Sequence, residues 1–340
     1  MTRPPSDNRA SRRLRHAVSA LGLCLAGCAH LNLDPHYAGP VPLPADVAAY
    51  YSYPNTPQQV TITPMDQGRG YHRSLVRFPL LTPDFTPTEP TVEIEWYESD
   101  EPGRRPAILF SPILGGDYPL EHGLCRFFAS HGFHVALVHR KTLKVSPDQP
   151  PEHLELLLRQ AILRSRQIVD WMAAQERVDP DRMGSFGISM GGIANVITAA
   201  VEPRLRCHVI ALAGGSIPDI LSTSHDRLLT KPRARYLAHN HIDIGTMHHR
   251  LTEAMRTDPM NFARYVDARN LLTCITLLDR TVGTPNSFRL WRALGKPEVF
   301  LIPAGHYTAY LFLPVIKYQS LRFFRKHLLP PSSSTRSCIL

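Results

Sequence analysis

The stretch Gly184-Ser185-Phe186-Gly187-Ile188-Ser189-Met190-Gly191-Gly192 constrains the fold more than any other part of this chain. Residues 182–186 before it read as a short buried strand, and residues 193–200 after it read as a helix. Between them the spacing Gly187-x-Ser189-x-Gly191 suits a sharp strand-to-helix turn. The serine at the tip must take a strained backbone conformation. Its neighbours two positions away must clear the returning chain, which glycine does because it has no Cβ.

The rest of the chain alternates strands with helices. Residues 91–97 (Thr-Val-Glu-Ile-Glu-Trp-Tyr) alternate with period two, as a half-buried strand does. Residues 106–110, 133–138, 207–212, 272–278 and 298–302 are short apolar runs, the pattern of strands buried on both faces of a parallel sheet. Helices are expected over 120–131, over the stretch carrying Leu154, Leu158, Ile162, Ile168, Val169 and Met172 on one face, over 288–294, and over 310–329 with an interruption near Pro314. Such alternation implies βαβ units and a mostly parallel sheet with helices on both faces.

The first 27 residues have a different character. Arg9, Arg12, Arg13 and Arg15 form a basic region, residues 17–26 form an apolar run too short to span a bilayer, and Leu25-Ala26-Gly27-Cys28 follows. That order resembles a bacterial lipoprotein signal peptide, 1–27, with Cys28 as the lipidation site. The resemblance implies a mature protein held in the bacterial cell envelope by acyl chains rather than by a spanning helix. Ala29 after the cysteine leans towards the outer membrane where the host has one. Residues 28–65 hold Pro35, Pro40, Pro42, Pro44, Pro54, Pro57 and Pro64, the composition of an extended tether, although Tyr50, Tyr51 and Tyr53 suit an arm docked on the domain equally well.

The formal net charge is +9, of which five Arg and one Asp in residues 1–27 account for +4. The remaining surplus suits contact with anionic headgroups and forms no nucleic-acid footprint, with no basic run interleaved with aromatics. Cys125, Cys207 and Cys274 sit in apolar runs and read as buried small side chains, while Cys338 lies near the end. His239-Asn240-His241-Ile242-Asp243 resembles part of a metallo-β-lactamase site, but Ile244 replaces the next histidine and no partner ligands are visible, so no metal site is expected.

Residues 90–330 resemble the α/β-hydrolase superfamily, whose triad runs serine, acid, histidine in chain order. Ser189 matches the nucleophile turn. Asp279, in Leu277-Leu278-Asp279-Arg280-Thr281-Val282, matches the acid turn, with Gly283 where the family usually has proline. His306, in Pro303-Ala304-Gly305-His306-Tyr307, matches the histidine turn. Asp258 and Asp267 also lie between serine and histidine, but only Asp279 closes an apolar strand on the side where His306 is expected. Parallel sheets place their ligand crevice at the carboxyl ends of the strands, where all three residues fall. A serine hydroxyl needs a base to take its proton, and histidine ordinarily titrates near neutrality. The resemblance assigns the oxyanion donors to the amides of Met190 and Leu114. Leu114 lies in the turn Ser111-Pro112-Ile113-Leu114-Gly115-Gly116-Asp117, which departs from the family's usual His-Gly. Asp117 and Tyr118 read as rim residues or as an ordinary turn.

The expected organisation is a signal peptide (1–27), a proline-rich tether (28–65), an α/β-hydrolase domain (66–330) with a small helical cap at about 216–268, and a tail (331–340). The implied activity is a serine hydrolase cleaving a small-molecule carboxylic ester or amide through an acyl-enzyme at Ser189, with no cofactor. A peptidase, a dienelactone-type or thioester hydrolase of the same fold, and a non-catalytic envelope-binding lipoprotein remain open. Oligomeric state has no signal in the sequence.

Overall fold

The computed structural model describes residues 29–56, 59–115, 119–139 and 146–329. The expectations for residues 1–27 and Cys28, for Asp117 and Tyr118, and for Cys338 and the tail lie outside the described residues.

A ten-stranded sheet runs through the molecule in the order β1-β10-β9-β8-β7-β5-β6-β4-β3-β2. Its six central strands are parallel: β10 (Glu298–Ile302), β9 (Leu271–Thr276), β8 (Leu205–Ala211), β7 (Val178–Ile188), β5 (Arg105–Ser111) and β6 (His134–Val138). β6 and β9 are buried at every position, which is why, after His134, their sequences are apolar or small-residue runs. β4 (Thr91–Ser99), β3 (Tyr71–Pro79) and β2 (Thr61–Gly68) extend one side antiparallel, and β1 (Ala29–Leu31) closes the other.

Helices cover both faces. Side chains alternate along β5, so Ile108 and Phe110 point to one face and Ala107 and Leu109 to the other. On the first face, α2 (Pro119–Ala129) and α10 (Leu313–Leu328) pack Leu124, Phe128 and Phe324 against Phe110 and Phe186, whose rings stack at 4.8 Å. On the other, α3 (Pro151–Ala173), α4 (Met190–Val201) and α9 (Thr284–Ala293) contribute Ile168, Val169, Val196 and Leu290. Pro314 starts α10 rather than interrupting it. It sits in the first turn, where a missing N–H costs no intrahelical bond.

The proline-rich segment expected as a tether is docked along the domain in its described part. β1 pairs with β10, and α1 (Ala45–Tyr50) leads into Tyr51, which is fully buried. The Tyr50 hydroxyl donates to Glu155 at 2.9 Å, the Tyr51 hydroxyl lies 2.8 Å from Thr257 Oγ1, and the Tyr53 hydroxyl donates to Asp170 at 2.6 Å. The Arg159 guanidinium lies over the Tyr50 ring at 3.9 Å.

Between β8 and β9 the chain forms α5 (Ile217–Thr223), α6 (Arg227–Asn240), α7 (Ile244–Ala254) and α8 (Pro259–Phe262). This helical insertion is tied to the body by Glu155, whose carboxylate accepts from the Thr257 amide and hydroxyl at 2.7 and 2.6 Å. The His239–Asp243 segment is the turn joining α6 to α7: His241 is left-handed at the end of one helix, and Asp243 caps the next through the Thr246 amide. Among the described residues no helix is long and apolar enough to cross a membrane.

Candidate active site

β7 ends at Ile188 and α4 begins at Met190, so a single residue makes the turn. Ser189 takes φ 54° and ψ −119°, a conformation that costs a residue with a Cβ on the order of 1–3 kcal/mol. The surroundings hold it there. The Ser189 amide donates to Ala211 O at 2.8 Å, and its carbonyl accepts from the Ile193 amide at 3.0 Å. A Cβ on Gly187 would collide with the Gly191 carbonyl, and one on Gly191 would strike the carbonyls of Ser111 and Pro112. Gly191 therefore lets the turn after β5 close against the start of α4.

The structure brings the three sequence-derived residues together. Ser189 Oγ lies 2.9 Å from His306 Nε2, and His306 Nδ1 lies 2.7 Å from Asp279 Oδ2. Ser189 follows β7, Asp279 follows β9 and His306 follows β10, all at the carboxyl edge of the sheet. Asp279 is 6% exposed and accepts further bonds from Thr276 Oγ1 at 3.0 Å and from the amides of Thr281 and Val282 at 2.8 and 2.9 Å. Burial alone would raise its pKa. The His306 imidazole and the two amides outweigh that and hold the carboxyl below the usual carboxylate range. An ionised carboxylate only accepts, so Nδ1 carries the imidazole proton and Nε2 presents its lone pair to Ser189.

Met190 opens α4, so its amide is one of the first-turn donors without an intrahelical partner. In the facing turn, the Ile113 amide donates to Glu121 Oε1 at 3.0 Å, and Glu121 is fully buried. That bond fixes the turn, and the next residue, Leu114, lines the cavity with Met190.

A cavity of about 300 Å³ opens over Ser189. Its wall is built from the body through Leu154, Leu158, Ile188 and Ile193, and from the insertion through Ile217, Ile220, Leu228 and Leu229. Among the described residues its polar side chains are Tyr310, Ser189, His306, Asp226, Thr281 and Tyr307. The last three bind one another. Asp226 Oδ2 accepts from the Thr281 hydroxyl at 2.9 Å and from the Tyr307 hydroxyl, and Oδ1 accepts from the Leu228 amide at 2.8 Å. Asp226 and Tyr307 thus join the insertion to the histidine turn. Asp226 carries no motif, since 81 residues separate it from Tyr307 and only the fold brings them together.

Asp258 and Asp267 stand elsewhere. Asp258 accepts from the Ile217 and Met260 amides at 2.6 and 2.8 Å, and Asp267 pairs with Arg269 at 2.6 Å. Cys125, Cys207 and Cys274 are free and buried. Burial pushes the Cys274 thiol up to about 12, with the Glu298 carboxylate adding to the rise.

Residues 165–301 match the prolyl oligopeptidase family. An uncharacterized protein of Mycobacterium tuberculosis is 25% identical over 160 residues, covering 47% of this chain and 36% of that protein. The match therefore spans about a third of the length of that curated relative. Among solved structures, acetyl xylan esterase 1 from Thermoanaerobacterium sp. JW/SL YS485 superposes with a TM-score of 0.62 at 17% identity, covering 86% of this chain and 99% of that one. The acetyl xylan esterase from Paenibacillus sp. R4 gives 0.63 at 18% identity, covering 83% and 92%. The sheet order, the strand-to-helix serine turn and these superpositions identify the fold of this chain as the α/β-hydrolase fold.

Proposed function

We propose that this chain is a serine hydrolase that cleaves a carboxylic ester with an apolar acyl group through an acyl-enzyme at Ser189. As Ser189 Oγ attacks the carbonyl carbon, its proton passes to His306 Nε2. Asp279 holds the imidazole in register and stabilises the imidazolium. The negative charge moves to the carbonyl oxygen, where the amides of Met190 and Leu114 receive it. Donors of this kind are worth about 3–4 kcal/mol each. Collapse expels the alcohol, which takes the proton from Nε2, and a water activated by the same nitrogen releases the acid.

The observation that carries the substrate class is the cavity wall. Outside the reacting pair, Asp226, Thr281 and Tyr307 are bonded together, Tyr310 stands largely exposed at the mouth, and the remainder of the wall is apolar. That suits an acyl chain better than a sugar acetate, whose hydroxyls need polar partners. The prolyl oligopeptidase match favours a peptide as the second reading. A peptide amine seeking a carboxylate would meet Asp226, whose oxygens already take three donors.

Steady-state hydrolysis of p-nitrophenyl esters of increasing acyl length tests this. Each buried methylene is worth about 0.8 kcal/mol, so kcat/KM should rise about fourfold per carbon until the cavity fills. A monotonic fall from acetate, or faster turnover of aminoacyl p-nitroanilides than of any ester, would overturn the acyl assignment.

A further inference from the structure

Five large apolar side chains stand 60–71% exposed around the cavity mouth: Leu228, Leu278, Tyr307, Tyr310 and Leu311. They form one rim. Tyr307 leads into a short 3₁₀ turn, Thr308–Phe312, which carries Tyr310 and Leu311. Tyr307 bonds Asp226, the residue that caps α6 through the Leu228 amide. Leu278 donates its amide to Ala304 O at 3.0 Å, beside the same histidine turn. Leu228, Tyr307 and Tyr310 also line the cavity, so at these three residues the exposed rim runs into the apolar interior. Scattered exposed apolar residues need no explanation, but a contiguous rim at the entrance of an apolar cavity does.

The helix at one side of this rim carries charge of one sign. α6 contains Arg227, Lys231, Arg233 and Arg235 and no acidic residue. Arg227, Lys231 and Arg235 are exposed and recur every four residues, so they share one outer stripe with Leu228 at its edge. Arg280 is exposed next to the acid turn. Among the described residues that line the cavity the one carboxylate is Asp226, which takes three donors.

We propose that this rim is a docking surface for an anionic phospholipid interface. The apolar side chains enter the headgroup–acyl boundary, the α6 stripe pairs with lipid phosphates, and an acyl chain passes into the cavity without crossing water. The proposal rests on reading the cavity as an acyl site, but its test measures binding in a chain that cannot turn over, so the two fail separately.

The experiment uses the full chain carrying Ser189→Ala and Cys28→Ser, so that neither hydrolysis nor an acyl anchor contributes. Its partition is measured onto phosphatidylcholine vesicles with and without about a third phosphatidylglycerol. Binding is expected to need the anionic lipid and to weaken as salt rises. Arg227→Gln, Lys231→Gln and Arg235→Gln together should weaken it about 100-fold, at about fivefold per cation. With Ser189 restored, that triple variant should hydrolyse a soluble short ester at the unaltered rate. Leu311→Ser should weaken binding without changing the salt dependence. Equal binding to both vesicle types, or wild-type partition of the triple variant, would overturn the proposal. So would a dimer in sedimentation equilibrium that Leu311→Ser splits, since the rim would then belong to a second copy. If the triple variant does not fold, Lys231→Gln alone with the salt titration decides the same question.

Discussion

Asp279→Asn reverses the hydrogen bonds to one carboxylate oxygen, and the structure dictates which way the new amide must face. Asp279 Oδ1 accepts from the Thr281 and Val282 amides at 2.8 and 2.9 Å. Both amides are donors, so the asparagine oxygen must occupy that side. Its NH2 then faces Thr276 Oγ1 and His306 Nδ1, where the carboxylate oxygen now accepts at 3.0 and 2.7 Å. The Thr276 hydroxyl can turn to accept. The imidazole can accept only by moving its proton to Nε2, which then points a donor at Ser189 and leaves no base. The expected loss is on the order of 10⁴ in kcat, or about 5.5 kcal/mol of barrier, with the fold retained because the two amides keep their acceptor. Initial rates on a soluble p-nitrophenyl ester measure the loss, and thermal melting checks the fold. Asp258→Asn and Asp267→Asn serve as controls, since those carboxylates bond the Ile217 and Met260 amides and Arg269. A folded Asp279→Asn variant within tenfold of wild type would refute the reasoning. So would a dead Asp267→Asn variant beside an active Asp279→Asn.

Two further outcomes are expected. Burial, with a small contribution from His327, pushes His208 down to about 3, while an unfolded histidine titrates near 6.5. Below pH ~6.5 the unfolded chain binds a proton that the folded one refuses, so stability falls as pH falls towards 3, by about 1.4 kcal/mol per pH unit from this group. Urea midpoints between these limits should show that slope reduced by one proton in His208→Phe, and an unchanged slope would remove His208 as its source. The order of basic region, apolar run and Cys28 predicts that cells expressing the chain incorporate labelled palmitate and that Cys28→Ser abolishes it; equal labelling of the variant would remove Cys28 as the acylated residue.

The central sheet was legible because its strands are buried on both faces and so read as apolar runs. The register of β9 could be read for the same reason: Leu271–Thr276 is apolar enough to mark where the chain emerges and puts Asp279 at the edge. β2 and β3 left no such mark. β2 is exposed almost throughout, its face meets no layer, and Pro64 lies within it. β1 is three residues long, and its pairing with β10 depends on an edge that exists only once the sheet has formed. The docked arm depended on partners far along the chain, Glu155, Asp170 and Thr257, which proline content does not encode. In the site, Ser189, Asp279 and His306 each sit in a local turn with its own residue pattern. Asp226 and Glu121 do not, because what matters about them is what the fold places opposite.

The account stands on Ser189 being a nucleophile activated by His306. The most direct measurement is incubation of the purified chain with a fluorophosphonate, followed by intact mass and peptide mapping. The account predicts one adduct, on Ser189, formed faster than on free serine, absent from Ser189→Ala and strongly slowed in His306→Ala. A folded wild-type chain that takes no label, or one labelled equally well after Ser189→Ala, would contradict it.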